Sequence, residues 1–423
     1  MFAASAFPMA GMAVILHLMV GKRLITARLL DGLGLAFAVA AVLAVLHYWD
    51  PTRAMEKRLA PGAAQRYDRV PAGLPAPPAD HWITVRDAAT AAARRRILVE
   101  RIFGAPDLPT DVMPQHLRKD VDKDPGPVND CLSPQGPAIV HLLSRMDTII
   151  MRALGCEATF YAGWDNLAGI DELSGYLVKA WRPYSIAYFR PKQANGRLIL
   201  YQQGLAATYH DVYRLIETWV ADGYTVAAMN MPGYGDNTCY DMARYCSGPL
   251  MPARFGTKLA QRFLPPVVAV NYALSQRPFS RIAMVGISSG AWITAVSAAI
   301  DPRITDSVPV SGVLPEALLV GKEESALEIV KGIDTFVSMP DLAVMAADRP
   351  GRRQVQIFNR YDRCCFYGPR PTLYGAALTK AAGGRVVIVF DESHARHKIS
   401  AWAMRRIAAL IGAGGDGKVR ASP

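Results

Sequence analysis

The chain of 423 residues is 51% hydrophobic and 20% charged, with a formal net charge of +11. That length exceeds one ordinary domain of roughly 100–200 residues and leaves room for a sheet enzyme of about 200–300 residues with an appendage. The positive charge is spread over Arg94–Arg96, the flanks of two apolar stretches and the C-terminal half, without interleaved aromatics. This pattern argues against a nucleic-acid partner and leaves attraction to anionic lipid or glycan as the milder reading.

From Phe2 to Val20 and again from Gly32 to Trp49 no residue carries a formal charge. Each stretch approaches the roughly 20 residues a helix needs to cross a bilayer. The second ends in Tyr48 and Trp49, side chains that favour the membrane–water boundary. The first contains Pro8 and His17 and lacks the positive residues that precede a signal's apolar core. Residues 1–50 therefore read as a transmembrane anchor of one or two helices, with two preferred. Lys22, Arg23 and Arg28 lie between the stretches and would hold that loop in the cytoplasm, sending the rest to the exported side of a membrane of the bacterial inner-membrane type. Arg53, Lys57 and Arg58 argue the other way. The even set Cys131, Cys156, Cys239, Cys246, Cys364 and Cys365 is compatible with disulfides and leans toward the exported side.

Residues 51–80 hold Pro61, Pro71, Pro75, Pro77 and Pro78 among Ala and Gly, a composition that extends the chain and reads as a linker or stalk. Residues 81–183 carry no interpretable motif. A helix is expected over Val85–Phe103 and a second over Ile139–Leu154, as an N-terminal elaboration packed on the sheet domain. From Tyr184 short apolar strands alternate with helices, the texture of a parallel sheet with crossover helices. Strands are expected at Tyr184–Phe189 and Arg197–Tyr201, paired around the turn at 193–196. Further strands fall at Thr225–Met229, Arg281–Val285, Ser307–Val310, Val355–Phe358 and Arg385–Phe390. Helices fall at Val212–Ala221, Pro265–Ser275, Ala291–Ala299 and Ile399–Ile411. The sheet domain spans 184–412, and 413–423 forms a flexible tail.

Gly286-Ile-Ser288-Ser289-Gly290 sits between an apolar strand and an Ala-rich helix, the context that gives a Gly-x-Ser-x-Gly pattern meaning. The sharp turn lifts the Ser288 hydroxyl above the sheet, and the helix N-terminus behind it favours developing negative charge. The blander reading is a small-residue loop before a buried helix. A serine hydroxyl needs a histidine to take its proton and a carboxylate to orient that histidine. Only His394 and His397 come after Ser288, both between the last strand and the last helix. His397, immediately before the helical pattern, is favoured as the base, with His394 the alternative. Asp362, just past the strand Val355–Phe358, is the preferred acid, because catalytic groups gather at the carboxyl ends of such strands. Its rival role is an ion pair with Arg360 or Arg363. Glu316 is the fallback acid, and Asp391 stands too close in sequence to the histidines. Backbone amides of Leu205, with Gly204 making the turn, and of Ser289 are the candidate oxyanion donors. His210 reads as a cap or surface residue.

These residues resemble the α/β-hydrolase superfamily: Gln203-Gly204 after a strand, Met231-Pro-Gly-Tyr-Gly235 after the next, the Ser288 turn, then Asp362 and His397. Gly290-Ala-Trp-Ile and Asp301-Pro-Arg-Ile304 are similar to the esterase and prolyl-peptidase-like branches. Gln203 stands where related enzymes often carry histidine. The resemblance implies an α/β-hydrolase fold, a mainly parallel twisted sheet flanked by helices, here preceded by transmembrane helices. It implies a serine hydrolase cleaving a carboxylic ester of a small molecule, lipid or glycan, with no cofactor and no metal. Peptidase, thioesterase or acyltransferase chemistry would use the same parts, and a membrane-tethered binding protein on a degenerate frame is the alternative of a different class. Cys239 and Cys246 could close a small disulfide loop over the site. Cys364 and Cys365 are expected to find partners elsewhere, since adjacent cysteines rarely bond each other, and their spacing matches no zinc pattern.

Overall fold

The computed structural model describes residues 67–74, 79–123, 164–176, 183–205, 207–237, 257–320, 336–362 and 364–412. The apolar stretches of residues 1–50, most of the linker, the helix expected at Ile139–Leu154, the tail, and Cys131, Cys156, Cys239 and Cys246 lie outside them. Among the described residues no helix is long and apolar enough to cross a membrane.

Nine strands form one sheet: β1 (His116–Arg118), β2 (Leu167–Tyr176), β3 (Pro183–Pro191), β4 (Arg197–Gln202), β5 (Thr225–Met229), β6 (Arg281–Ile287), β7 (Asp306–Val310), β8 (Arg353–Asn359) and β9 (Val386–Asp391). Their order is β1-β2-β3-β5-β4-β6-β7-β8-β9. The three N-terminal strands pair antiparallel, β3 with β5, and β5 through β9 run parallel. The sheet thus begins upstream of Tyr184. The expected pairing of β3 with β4 is corrected: β5 inserts between them, with Ile186 opposite Met229 and Leu198 beside Thr225. The reason lies in β5 itself, whose five residues are all buried; such a strand requires an interior position covered on both faces.

Both faces are covered. On one lie α1 (Ala88–Phe103), α3 (Thr257–Gln276), α4 (Ser289–Ile300), α5 (Met339–Ala346) and α6 (Thr372–Ala381), around Phe263, Trp292, Leu342 and Tyr374. On the other, α2 (Tyr213–Ala221) and α7 (Ala401–Gly412) pack Trp219, Ile216, Ile407 and Leu410 against Val285 and Ile357. Every residue of α4 is buried, beneath neighbouring helices as well as on the sheet. Fully burying Ile293, Val296 or Ile300 within it contributes about 1.5–3 kcal/mol each.

The helix α1 starts at Ala88, not Val85, because Asp87 caps it: its carboxylate accepts from Thr90 N at 2.7 Å. Thr84 and Val85 instead donate their amides to Asp341 Oδ1 at 2.7 and 2.8 Å. Arg95 reaches across to Ala299 O, Met345 O and Asp348. Residues of the unreadable N-terminal region are therefore built into the same body as the sheet. The linker, read as a stalk, also packs where it is described. Tyr67 is buried, edge-on to Tyr361 and Tyr367 at 5.9 and 5.6 Å between centroids.

The amino ends of the parallel strands are tied by charge. Arg281 and Arg353, the first residues of β6 and β8, both clamp the buried Asp306 that opens β7, at 2.6 and 2.9 Å. The carboxyl ends are left for the candidate site.

Candidate active site

The strand β6 ends at Ile287 and α4 begins at Ser289, so the whole reversal falls on Ser288, which adopts φ 57° and ψ −126°. A non-glycine residue there is strained and persists only where its surroundings over-determine it. They do: Ser288 N donates to Val310 O at 2.9 Å, and Ser288 O accepts from the amides of Ala291 and Trp292. The flanking glycines are demanded by close approach. A Cβ on Gly286 would lie 2.3 Å from Gly290 O, and one on Gly290 would lie 2.2 Å from Gln202 O. The turn is pressed against the end of β4.

That contact brings the second loop to the serine. A Cβ on Gly204 would stand 2.9 Å from Ser288 Cβ, so the segment carrying the Leu205 amide runs directly beside Ser288. Gln203 is fixed from both sides, its amide donating to Met229 O at 3.0 Å and its Oε1 accepting from Tyr201 Oη at 2.6 Å. Gln203 is thus a buried structural residue. Ser289, the other expected donor, opens α4.

After β8, Asp362 is fully buried. Its Oδ1 accepts from Cys364 N at 2.8 Å, and its Oδ2 lies 2.6 Å from His397 Nδ1. The rival pairing with Arg360 does not form, since that guanidinium faces Asp68 at 3.6 Å; Arg363 lies outside the described residues. Glu316 sits exposed in a short 3-10 turn.

The two histidines face different carboxylates. His394 Nε2 lies 3.3 Å from Asp391 Oδ2, and its Nδ1 accepts from Arg396 N at 3.0 Å. Asp391 is also bonded by the hydroxyls of Ser393 and Ser400. Burial alone would push this carboxyl up, but the bonds from His394, Ser393 and Ser400 outweigh it and hold it at about 2. Asp391 and His394 therefore brace the loop, and His397 is the ring brought to Asp362. Among the described residues no hydrogen bond joins the Ser288 hydroxyl to His397 Nε2. Ser288, Asp362 and His397 come after β6, β8 and β9, so all three stand at the same carboxyl edge.

Two supports escaped the sequence. Asn359 Nδ2 donates to Lys398 O at 2.9 Å and Arg396 O at 3.3 Å, bracketing His397, while Asn359 N donates to Ser311 Oγ at 2.9 Å. Asn359, a polar residue closing a fully buried strand, was the available signal. His210 is neither a cap nor a free surface group: Nε2 lies 3.3 Å from Asp236 Oδ1 and Nδ1 2.6 Å from Tyr213 Oη. Bonds from His210, Tyr209 and Lys123 overcome the burial of Asp236 and hold its carboxyl well below the usual range.

The cysteine expectation is corrected. Cys364 and Cys365 are joined to each other by a disulfide, on the turn that Asp362 Oδ1 fastens through Cys364 N. Both sulfurs and a ring nitrogen of His397 lie within 4.8 Å of one another.

The strand order, the serine turn after β6, and the carboxylate and imidazole after β8 and β9 define an α/β-hydrolase-like fold, a mostly parallel nine-stranded sheet with flanking helices. No family model and no curated protein sequence matches the chain. Among solved structures it is similar to an acetyl xylan esterase from Paenibacillus sp. R4, at 14% identity and TM-score 0.47 over 79% of this chain and 97% of that one. It is also similar to the methylesterase BT1017, at 15% identity and TM-score 0.45 over 61% of this chain, which spans 59% of that protein's length. The acylaminoacyl peptidase of Pyrococcus horikoshii aligns at 14% identity and TM-score 0.40 over 57% of this chain and 40% of its own.

Proposed function

We propose that the protein is a serine hydrolase that cleaves a carboxylic ester through an acyl-enzyme on Ser288. The observation that carries this reading is the 2.6 Å contact of His397 Nδ1 with the buried Asp362, at the edge where Ser288 is held with φ 57°. With Nδ1–H donating to the carboxylate, Nε2 is the basic nitrogen and accepts the serine proton as the hydroxyl oxygen attacks the acyl carbon. Asp362 fixes the tautomer and stabilises the imidazolium; it stays ionised throughout. The amides of Leu205 and Ser289 receive the negative oxygen of the tetrahedral intermediate. Collapse expels the alcohol, protonated from His397, and water then repeats the sequence to release the acid. Serine–base contacts are often long in free enzymes and tighten around the substrate.

Labelling with a fluorophosphonate probe tests this reading. The wild type should label and Ser288→Ala should not, with the fold intact by circular dichroism. A labelled alanine variant would overturn the assignment of Ser288. A wild type that refuses the probe would return the protein to the binding class. Acyl esters of increasing chain length would then define the substrate, and the uncharged stretch 32–49 favours a lipid or acylated glycan at a membrane.

A further inference from the structure

The Cys364–Cys365 pair has no role in the acyl transfer just described, yet it stands against the histidine that performs it. Cys364 is exposed and Cys365 buried, and the two sulfurs with a ring nitrogen of His397 lie within 4.8 Å of one another. We propose that reducing this disulfide creates a Cys2His site for one thiophilic divalent cation, of which Zn2+ is the type, and that the bound cation occupies the imidazole nitrogen required for hydrolysis. The blocking half of this inference rests on His397 being the base.

The donor set fits the ion. Thiolates and a neutral imidazole are the ligands such cations prefer, in a tetrahedron whose bonds of about 2.0–2.3 Å put neighbouring ligand atoms roughly 3.8 Å apart. A ring nitrogen of His397 already lies within 4.8 Å of both sulfurs, and breaking the bond between the sulfurs frees them to separate toward that figure. His397 is prepared for the role. Its Nδ1 is held by Asp362, and a carboxylate on one ring nitrogen is the usual partner of a histidine that ligates through the other. Nε2 is then the ligating atom, and three protein ligands leave the fourth position to water. The sequence hides the site because its third ligand comes from the loop after a different strand.

The chemistry balances. A dithiol reductant delivers two electrons and two protons to the Cys364–Cys365 bond, giving two thiols and the reductant's own disulfide. Binding M2+ then releases both thiol protons as the thiolates form. The oxidised pair lacks thiolates and does not bind.

The full chain, oxidised or dithiol-reduced and freed of reductant, is titrated with Co2+ while thiolate-to-cobalt charge-transfer absorption is monitored, beside Cys364→Ser/Cys365→Ser. Any contribution from the other four cysteines is common to both proteins. Expected is a difference band in the reduced state alone, saturating at one ion per chain, with cobalt bound at least tenfold more weakly in His397→Ala. Zn2+ should abolish fluorophosphonate labelling of the reduced wild type, EDTA should restore it, and the labelling of the double variant should not respond to zinc. Absence of the difference band, or its presence in the oxidised chain, overturns the site. A band with zinc-insensitive labelling overturns the block. A wild type that never labels removes the hydrolase reading instead, and the cobalt band still decides the site. Should the double variant fail to fold, Cys364→Ser alone, at the exposed position, makes the same comparison.

Discussion

Two carboxylates sit within one strand-end cluster and hold two different imidazoles, so their replacement should separate chemistry from support. Asp362→Asn keeps the size of the side chain but removes the charge that orients His397. Turnover should fall by about 10^4-fold, with little change in KM, as read from steady-state kinetics on an activated ester. His397→Gln should fall at least as far, whereas His394→Gln should stay within roughly an order of magnitude of wild type. Asp391→Asn acts on stability. Its carboxyl is held at about 2 in the folded chain, below the roughly 3.9 of an unperturbed aspartate. A depressed carboxyl lends stability above the unfolded value and loses it as pH falls through the folded one. Urea unfolding should therefore show the asparagine variant weaker by on the order of 2 kcal/mol at pH 7, with the gap closing between about pH 4 and 2. A gap that persists at pH 2 would mean that the lost hydrogen-bond geometry, not the charge, set the difference.

Elements were legible where their signal is local. The serine turn is readable because its strand, its glycines and its small-residue helix are consecutive. Asp362 and His397 are readable as candidates because each lies in the loop after an apolar strand. Which of His394 and His397 faces Asp362 depends on which ring Asp391 captures across a loop, and no local pattern carries that. The strand β2 was missed because Asp171, Glu172, Gly169 and Gly175 break the apolar pattern, and their reasons are tertiary: Arg190 meets Asp171 and Lys123 meets Glu172. The insertion of β5 between β3 and β4 is a pairing over distance, and no periodicity carries it. The turn after β6 makes an element-scale prediction. Gly290→Ala places a methyl group 2.2 Å from Gln202 O and should cost about 1–3 kcal/mol in chemical denaturation, with probe labelling lost alongside. On the opposite face, Trp219→Ala, emptying a side chain 1% exposed, should cost about 3–5 kcal/mol while the remaining folded fraction still labels.

For the whole molecule, the parallel strands divide the work between their ends. The amino edge is locked by Arg281, Asp306 and Arg353, and the carboxyl edge carries Ser288, Asp362 and His397. A membrane anchor at residues 1–50 is a separate proposal, carried by the two uncharged stretches and by Tyr48 and Trp49. A reporter active only outside the cytoplasm, fused after Pro423, should be active; silence would place the sheet domain inside.

The contacts of Asp341 set a schedule for synthesis. Its carboxylate receives the amide of Thr84 across a separation of 257 residues. The carboxylate that receives the amides of Thr84 and Val85 is not made until α5 has left the ribosome. At about 5–20 residues per second that wait is roughly 13–50 seconds, during which Ile83, Val85 and Leu98, all buried at the end, stay without their final cover. Closure of the body is therefore a late event, governed by the slow pairing of distant segments. Asp341→Ala should lengthen that interval, visible as greater chaperone capture of the nascent chain.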